Sequence, residues 1–523
     1  MRELQKNETV KKAQKGIFHF LFSRIAVLGV LMLLQLGTLY ATFTYLSEYA
    51  TYINTTLNVL KVCCIIYIMN GKGNSDFKIT WILLIFIFHV FGTIFYLFVK
   101  IMPGTGMIKK RLSDLNVMTL PFMKQDKETL EALRVSKPAN ANLAHYMSEQ
   151  VHYPVHRNTA VKYFASGEEK FEEMKKQLEK AEKYIFLEYF IVERGEMWNS
   201  ILRILLKKVK QGVEVRFMYD GMCSMIQLPY HYDRAMRKHG IKCKMFSPIR
   251  PVLSSYQNNR DHRKICVIDG KVGFTGGINL ADEYINVKER FGHWKDTAVM
   301  LEGEAVQNLT MMFLQMWNIS EKTPEKFTKY LTPKSLDVKR ELGFVLPYGD
   351  SPYDGEIIGK LVYFHILDHA KKNVLIMTPY LILDNEMIST LTYAAKCGIE
   401  VIIIMPHIPD KWYAFYLAKT YYEELMEAGV QIYEYTPGFV HAKVFVSDND
   451  TATVGTINLD YRSLYHHFEC GAFIYNNPVV WEIEKDFQAT LKKCQKVSVM
   501  DLRSRSLTER VLGALFRLVA PLM

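Results

Sequence analysis

An internal repeat constrains this chain more than any other feature of its sequence. AEKYIFLEYFIV (from Ala181) corresponds to AKKNVLIMTPYLIL (from Ala370), QGVEVRFMYDG to CGIEVIIIMPH, and KHGIKCKMFSP to EAGVQIYEYTP, in the same order along the chain. In each copy, a helical stretch that ends near a glycine leads into a strand rich in β-branched residues. Strands that alternate with helices, in two copies, predict an α/β fold made of two similar domains, with two mixed sheets packed around a shared site.

The repeat also sets the predicted domain boundaries. The first domain covers residues 159–330 and the second covers residues 331–496. Residues 1–101 form a hydrophobic N-terminal region, and residues 102–158 connect it to the repeat. Residues 497–523 are predicted to form a C-terminal amphipathic helix.

The last repeated pair carries the chemistry. DHRKICVIDGKVGFTGGINL aligns with VHAKVFVSDNDTATVGTINL, and the two segments share residue types at the same offsets from their histidines. A single His-x-Lys occurs often by chance, whereas two copies that agree at several positions within a wider repeat are specific. The matched residues are His262, Lys264, Asp269 and Asn279 in the first copy, and His441, Lys443, Asp448 and Asn458 in the second.

The spacing within each copy suits phosphodiester chemistry. Residues two apart on a strand project from the same face, so each His and Lys can point into one cleft. One imidazole can attack phosphorus while the other protonates the departing alkoxide. The lysines and the amides of Asn279 and Asn458 would hold the nonbridging phosphate oxygens. This set requires neither a metal nor another cofactor.

Asp269 and Asp448 allow two interpretations. The motif groups them with the catalytic residues. However, a separation of seven residues from each histidine gives the opposite strand parity. Parity therefore favours a structural ion pair or a turn.

The N-terminal region contains candidate membrane spans. Residues 25–46 and 79–99 form uncharged runs of 22 and 21 residues, each long enough to cross a bilayer. Residues 52–70 are apolar but include Lys61, which leaves a third span and an interfacial helix as alternatives. Basic residues precede the first run and follow the last, which predicts an even number of crossings and a cytoplasmic catalytic domain. We therefore expect a multi-pass protein of the cell membrane.

The net charge of +11 is carried by residues 1–24, 100–111 and 495–523, so the rest of the chain is formally neutral. A nucleic-acid enzyme more often has its basic excess on the catalytic body. Here the excess flanks apolar segments, which predicts anionic membrane lipid as a partner and excludes nucleic acid. The eight cysteines include no C-x-x-C pair, and we expect all of them to be reduced.

The C-terminal segment has the pattern of an amphipathic helix. Ser506 and Glu509 have the spacing of a capping box. Apolar side chains recur along one helical stripe, and arginines recur every seven residues on a different face: Leu507, Val511, Leu515, Leu518 and Leu522, and Arg503, Arg510 and Arg517. A basic amphipathic helix of this kind typically lies in the bilayer interface. The alternative is a terminal helix packed on the catalytic body.

HRKICVIDGKVGFTGGIN and HAKVFVSDNDTATVGTIN resemble the paired motifs of the phospholipase D superfamily. NNRDHRK, DEYINVKERFGHWKDTAV, PVHRNTAVKYFASGEEKF and LDYRS narrow the resemblance to the cardiolipin synthases. The resemblance implies a phosphatidyl transferase that converts two phosphatidylglycerol molecules into cardiolipin and glycerol through a phosphohistidine. It also implies that His262 is the nucleophile and that His441 is the acid and then the base. Asp296 and Glu469 would orient the imidazoles, with surface salt bridging as the alternative for both.

Some residues depart from the family pattern, and other functions stay open. WKD replaces WRD, Thr456 stands where Ser or Gly is common, and His89 stands where relatives often have Pro. The motifs do not separate a lipid acceptor from water, so a membrane-bound hydrolase is an alternative, as is a transferase that uses another alcohol such as serine. The spans and the charge distribution disfavour a nuclease. A non-enzymatic scaffold would be expected to lose one His-x-Lys copy, and both are complete.

Overall fold

The computed structural model describes residues 49–101, 105–222, 227–229, 231–247, 259–331 and 343–522, with five isolated positions between 33 and 44. Its internal contacts separate two units near Thr105. The larger unit contains both copies of the repeat. Seven cysteines lie among the described residues and are free, and Cys223 lies outside those residues.

The N-terminal unit has three helices in its described part: Ala50–Asn70 (α1), Ser75–Ile87 (α2) and His89–Ile101 (α3). They enclose a small apolar cluster of Cys64, Ile68, Ile85 and Tyr96. The Asn74 side chain caps α2 by accepting a hydrogen bond from the backbone N–H of Asp76. The predicted segment 52–70 lies within α1.

The predicted span over residues 79–99 is not confirmed, because this segment forms parts of two helices that are separated at Phe88. After the break the chain folds back, so the rings of Trp81 and Tyr96 lie 5.2 Å apart. Gly92 permits this close approach, since a Cβ there would lie 2.6 Å from the carbonyl oxygen of Leu84. The predicted span 25–46 lies outside the described residues, apart from the isolated positions. Within the described residues, no helix has both the length and the apolar character needed to cross a membrane.

The larger unit begins with three connector helices and continues into two α/β halves. The connector helices are Thr105–Thr119 (α4), Lys127–Ser136 (α5) and Pro138–Glu149 (α6). The first half comprises Thr159–Phe164 (β1), Gly167–Glu179 (α7), Tyr184–Tyr189 (β2), Glu196–Lys210 (α8), Glu214–Asp220 (β3), Tyr232–Lys238 (α9), Lys242–Phe246 (β4), Lys264–Ile268 (β5), Val272–Gly276 (β6), His293–Lys295 (β7), Ala298–Gly303 (β8) and Val306–Asn318 (α10).

The second half repeats this order and adds a C-terminal extension. It comprises Phe344–Asp350 (β9), Ile358–His369 (α11), Asn373–Met377 (β10), Asn385–Lys396 (α12), Glu400–Pro406 (β11), Trp412–Glu427 (α13), Gln431–Tyr435 (β12), Gly438–Val440 (β13), Val444–Ser447 (β14), Thr451–Gly455 (β15), Tyr461–Tyr465 (α14), Glu469–Tyr475 (β16), Val479–Leu491 (α15) and Cys494–Lys496 (β17). The extension contains Val499–Arg503 (α16) and Leu507–Val519 (α17). Single 3₁₀ turns occur at Leu120–Phe122, Asp282–Ile285, Phe327–Tyr330 and Ala520–Leu522.

The two main sheets have matching topologies. The first has the order β1-β8-β6-β5-β2-β3-β4, and the second has the order β17-β12-β11-β10-β14-β15-β16-β9. In each sheet three strands run parallel, as β2-β3-β4 or β10-β11-β12, and the motif strand β5 or β14 pairs antiparallel with the first of them. These pairings confirm the predicted α/β repeat with mixed sheets.

The halves meet along the faces that carry the motifs. Thr275 of β6 and Cys470 of β16 hydrogen-bond across the two sheets at 3.3 Å. The short strands β7 and β13 form a parallel pair between the halves, and a second bridge joins Asp261 to Phe468. The first connection ends directly before Asp296 and His441, and the second lies directly before His262 and Glu469. The fold therefore brings the two motifs to one interface.

Candidate active site

Each His-x-Lys segment lies at the start of the motif strand in its sheet. Lys264 opens β5, and Lys443 directly precedes β14. Both histidines and both lysines are buried. Each lysine ammonium donates a hydrogen bond to the carbonyl of the histidine two residues before it, so each pair lies on one side of its strand.

The backbone of each half holds the histidine of the other half. The N–H of His262 donates to the Phe468 carbonyl at 2.9 Å, and the N–H of His441 donates to the Lys295 carbonyl at 2.7 Å. The residues that follow Phe468 and Lys295 are Glu469 and Asp296. The two histidines are therefore placed by equivalent contacts across the interface.

The histidine side chains also bond to residues of the opposite half. Both Glu469 oxygens lie 2.9 Å from Nδ1 of His262, and Oδ2 of Asp296 lies 2.7 Å from Nδ1 of His441. Both carboxylates are fully buried, so the alternative of surface salt bridges is wrong. A carboxylate at Nδ1 keeps the proton on that nitrogen and leaves Nε2 available for chemistry. Each half thus supplies the acid that orients the imidazole of the other half.

The two acids have different surroundings. The hydroxyl groups of Thr456 and Ser463 both donate to Glu469. Asp296 instead accepts a bond from the backbone N–H of Thr297 at 2.8 Å. Gly277 occupies the position equivalent to Thr456, and a Cβ there would lie 2.1 Å from Oδ1 of Asp296. Thr456, a departure from the family pattern, therefore stabilises the Glu469 carboxylate.

Burial in the cleft disfavours the positively charged forms of the histidines and lysines. Burial and the neighbouring lysines hold the pKa values of His262 and His441 well below the ordinary value for imidazole. Burial lowers the pKa of Lys264 to about 8 and that of Lys443 to about 7. Burial also raises the pKa of Asp296 to about 7. A bound phosphate would supply the negative charge that favours protonated lysines.

The two asparagines are not equivalent. The amide of Asn279 is engaged, since its oxygen accepts a bond from the Ile191 N–H at 3.0 Å and its nitrogen donates to the Tyr284 hydroxyl at 2.7 Å. In Asn458 the buried Oδ1 has no hydrogen-bond partner among the described residues. A phosphate oxygen needs a hydrogen-bond donor, and the unpartnered atom of Asn458 is an acceptor, so phosphate binding by either amide stays a prediction.

The contacts of Asp269 and Asp448 do not support the predicted catalytic role. The Asp269 carboxylate accepts three backbone N–H bonds of 2.7 Å from residues 182–184. Asp448 accepts equivalent bonds from residues 371–373. Both aspartates have positive φ angles of 54° and close the turn that follows the motif strand. These contacts are of the kind that strand parity favoured, a turn and not a position in the cleft.

Sequence analysis missed His467 and a buried carboxyl pair. The His467 ring lies 5.4 Å from the His262 ring, and its Nδ1 lies 3.6 Å from Glu469. His262, His467 and Glu469 place three potential metal-ligand atoms within 4.8 Å of one another. Glu188 and Asp261 are buried beside the motif, and burial raises the pKa of both carboxyls. The motif HHFEC, which places His467 two residues before Glu469, could have indicated His467, whereas no local motif indicates Glu188.

Comparisons with known proteins agree with this geometry. The family model "Cardiolipin synthase, PLD-like domain" matches residues 174–317 and 363–491, and the model "Phospholipase_D-nuclease N-terminal" matches residues 59–100. A cardiolipin synthase of Halalkalibacterium halodurans is 35% identical over 96% of this chain and 100% of its own length. An uncharacterised protein of Streptococcus mutans is 51% identical over 88% of this chain and 99% of its own length.

The fold also resembles a solved structure. A crystal structure of phosphatidylserine synthase from Haemophilus influenzae aligns with a TM-score of 0.55 and 16% identity, over 74% of this chain and 99% of that chain. At this identity the likeness concerns the fold alone.

Proposed function

This chain belongs to the cardiolipin synthase family of phospholipase D-like proteins, and we propose that it is a phosphatidyl transferase that makes cardiolipin and glycerol from two phosphatidylglycerol molecules. The observation that carries the proposal is the pair of buried histidines, each bonded at Nδ1 to a buried carboxylate from the other half. Such a pair supplies one nucleophile and one proton donor to a single phosphodiester.

In the first step, Nε2 of His262 attacks the phosphorus of one phosphatidylglycerol. The bond between phosphorus and the glycerol oxygen breaks, and His441 gives a proton to that oxygen, so glycerol leaves. Glu469 supports this assignment, because two hydroxyl groups stabilise its negative charge and it can hold the proton on Nδ1 of His262. The phosphatidyl group is then bonded to His262.

In the second step, a glycerol hydroxyl of another phosphatidylglycerol attacks the phosphohistidine. His441 removes the proton from this hydroxyl, the bond between phosphorus and nitrogen breaks, and cardiolipin leaves. Burial raises the pKa of Asp296 to about 7, so the His441–Asp296 pair can exchange a proton near neutral pH. Lys264, Lys443 and Asn458 are the groups available to stabilise the phosphate oxygens.

The relatives and the proposed substrate support a membrane-associated bacterial enzyme. We retain the N-terminal region, residues 1–101, as the proposed anchor, with residues 25–46 as its first membrane segment and the catalytic halves on the cytoplasmic side. Phosphatidylglycerol in the same membrane would then serve as both donor and acceptor.

Exchange of free glycerol tests the two-step mechanism. Purified protein incubated with phosphatidylglycerol and radiolabelled glycerol should form labelled phosphatidylglycerol, because the same histidines serve both directions. His262→Ala should abolish this exchange. Formation of phosphatidic acid with no exchange would contradict the transferase proposal and support a hydrolase.

A further inference from the structure

The C-terminal helix α17 packs on α13 through one face. A Cβ on Gly513 would lie 2.7 Å from Cγ2 of Thr420, which shows how closely the helices approach. The Phe516 ring lies 5.7 Å from the Trp412 ring. Arg517 lies 4.6 Å over the Tyr421 ring and 3.5 Å from the Glu424 carboxylate. The helix is therefore docked on the catalytic body, which was the alternative to a purely interfacial helix.

The apolar stripe of α17 does not form this contact. Leu507, Val511, Leu515 and Leu518 are 76%, 49%, 53% and 53% exposed. At 3.6 residues per turn these side chains lie opposite Gly513 and Phe516. Trp412, at the start of α13, is 56% exposed and extends the apolar surface beside the helix. An exposed apolar patch of this kind marks an interaction surface.

The charges around the stripe identify the partner. Arg503 and Arg510 are exposed next to it, and residues 495–523 have a net charge of +3. An apolar stripe flanked by arginines matches the acyl chains and anionic headgroups of a bilayer. The proposed substrate, phosphatidylglycerol, is itself an anionic lipid of that bilayer.

The N-terminal end of α13 links the stripe to the catalytic cleft. Trp412 opens α13 and follows Lys411, whose ammonium donates to the Tyr380 hydroxyl at 3.1 Å. Tyr380 directly precedes Leu381, which pairs with Leu459, the residue after Asn458 of the motif. The charge of Lys411 also contributes to the lowered pKa of both catalytic histidines. A surface that α17 and Trp412 share therefore adjoins the rim of the cleft.

We propose that Leu507, Val511, Leu515, Leu518 and Trp412 form a docking surface for an anionic bilayer, which holds the cleft rim at the level of the lipid headgroups. The inference rests on the proposed function, because it assigns the surface to the membrane that contains the substrate. Docking of α17 on α13 and insertion of the stripe use opposite faces and occur together.

The first test changes only the exposed face. In the full chain, Leu507→Gln, Val511→Gln, Leu515→Gln and Leu518→Gln are combined, and turnover is measured on phosphatidylglycerol vesicles and on monomeric short-chain phosphatidylglycerol. We expect about a tenfold loss on vesicles and no more than a twofold loss on the monomeric lipid. Tyr393→Gln with Trp481→Gln removes exposed aromatic residues elsewhere and should leave both rates unchanged.

The outcomes separate the two proposals. Equal rates of the stripe variant and the wild type on vesicles would overturn the docking surface, as would equal losses on vesicles and on the monomeric lipid. Absence of turnover by the wild type on either substrate would instead contradict the proposed function.

The second test measures contact with lipid directly and does not depend on turnover. The full chain in phosphatidylglycerol vesicles with brominated acyl chains should show tryptophan quenching that decreases in Trp412→Phe and is unchanged in Trp481→Phe. No difference between Trp412→Phe and the wild type would contradict the proposal. Cross-linking through the stripe to a second copy of the chain would assign the surface to a protein contact and would also contradict it.

Discussion

At the residue scale, the chemistry depends on His262 and His441, the two histidines that each bond through Nδ1 to a buried carboxylate of the other half. We predict that His262→Ala and His441→Ala each reduce turnover at least a thousandfold. With radiolabelled phosphatidylglycerol, no label should attach to His262→Ala, whereas His441→Ala should retain label on the protein because the second step lacks its base. Label that persists without His262 would show that the nucleophile has been assigned to the wrong histidine.

The lysines and the His441–Asp296 pair both lose a proton as the pH rises through neutrality, and both contribute to the pH dependence. The pKa values of Lys443 and Lys264, about 7 and about 8, predict that kcat/KM falls as the pH rises through this range and the ammonium groups lose their charge. On the acid side, the low pKa of His262 keeps it neutral well below pH 6.5, so activity should persist there. The alkaline limb of kcat should lie at higher pH, because bound phosphate stabilises the ammonium groups. A flat kcat/KM from pH 6.5 to 9 would contradict this account.

At the scale of the elements, each half completes the site of the other. The exchange predicts that Glu469→Gln behaves like a His262 variant and slows attack on phosphorus, whereas Asp296→Asn behaves like a His441 variant and accumulates labelled protein. Single-turnover labelling distinguishes the two. If Asp296→Asn prevented labelling and Glu469→Gln accumulated label, the cross-half pairing would be wrong.

Asp269 and Asp448 provide the matched structural control. Each aspartate accepts three backbone N–H bonds, so Asp269→Ala should lower the free energy of unfolding by about 2 kcal/mol, the value typical of a hydrogen bond to a charged group. Thermal unfolding measures this loss. The activity of the folded fraction should stay within about threefold of wild type, and a much larger loss of activity without loss of stability would restore a catalytic role.

Much of this arrangement follows from spacing, and the rest depends on tertiary contacts. The shared offsets of the two His-x-Lys segments predict their convergence, because strand parity and the internal repeat are properties of the sequence itself. The exchange of Glu469 and Asp296 between halves depends on the bridges Asp261–Phe468 and β7–β13, which no local pattern encodes. The same holds for Asn279, whose amide is used by Ile191 and Tyr284.

Two features of the helices also depend on tertiary contacts that the sequence does not reveal. Residues 79–99 contain no Asp, Glu, Lys or Arg and predict one span, but the helix is interrupted at Phe88 and the chain folds back, with Gly92 close to Leu84. Periodicity correctly identified the stripe of α17. It did not show that the opposite face, with Gly513 and Phe516, docks on α13.

For the whole molecule, metal removal tests whether the protein groups suffice. Because the site contains two lysines and two histidines for the phosphate, we predict that dialysis against a chelator leaves activity unchanged. Complete loss that one added divalent ion restores would contradict the metal-free mechanism. It would also make the cluster of His262, His467 and Glu469 the first place to look for the ion.

The central claim is phosphatidyl transfer between two lipids, and the products formed from phosphatidylglycerol alone test it most directly. The purified full chain should release glycerol and form cardiolipin in equal amounts, because each phosphatidyl group that leaves one glycerol is transferred to another phosphatidylglycerol. The yield of cardiolipin should fall when free glycerol is added in excess. Phosphatidic acid as the dominant product, with no cardiolipin across a range of lipid densities, would contradict the account.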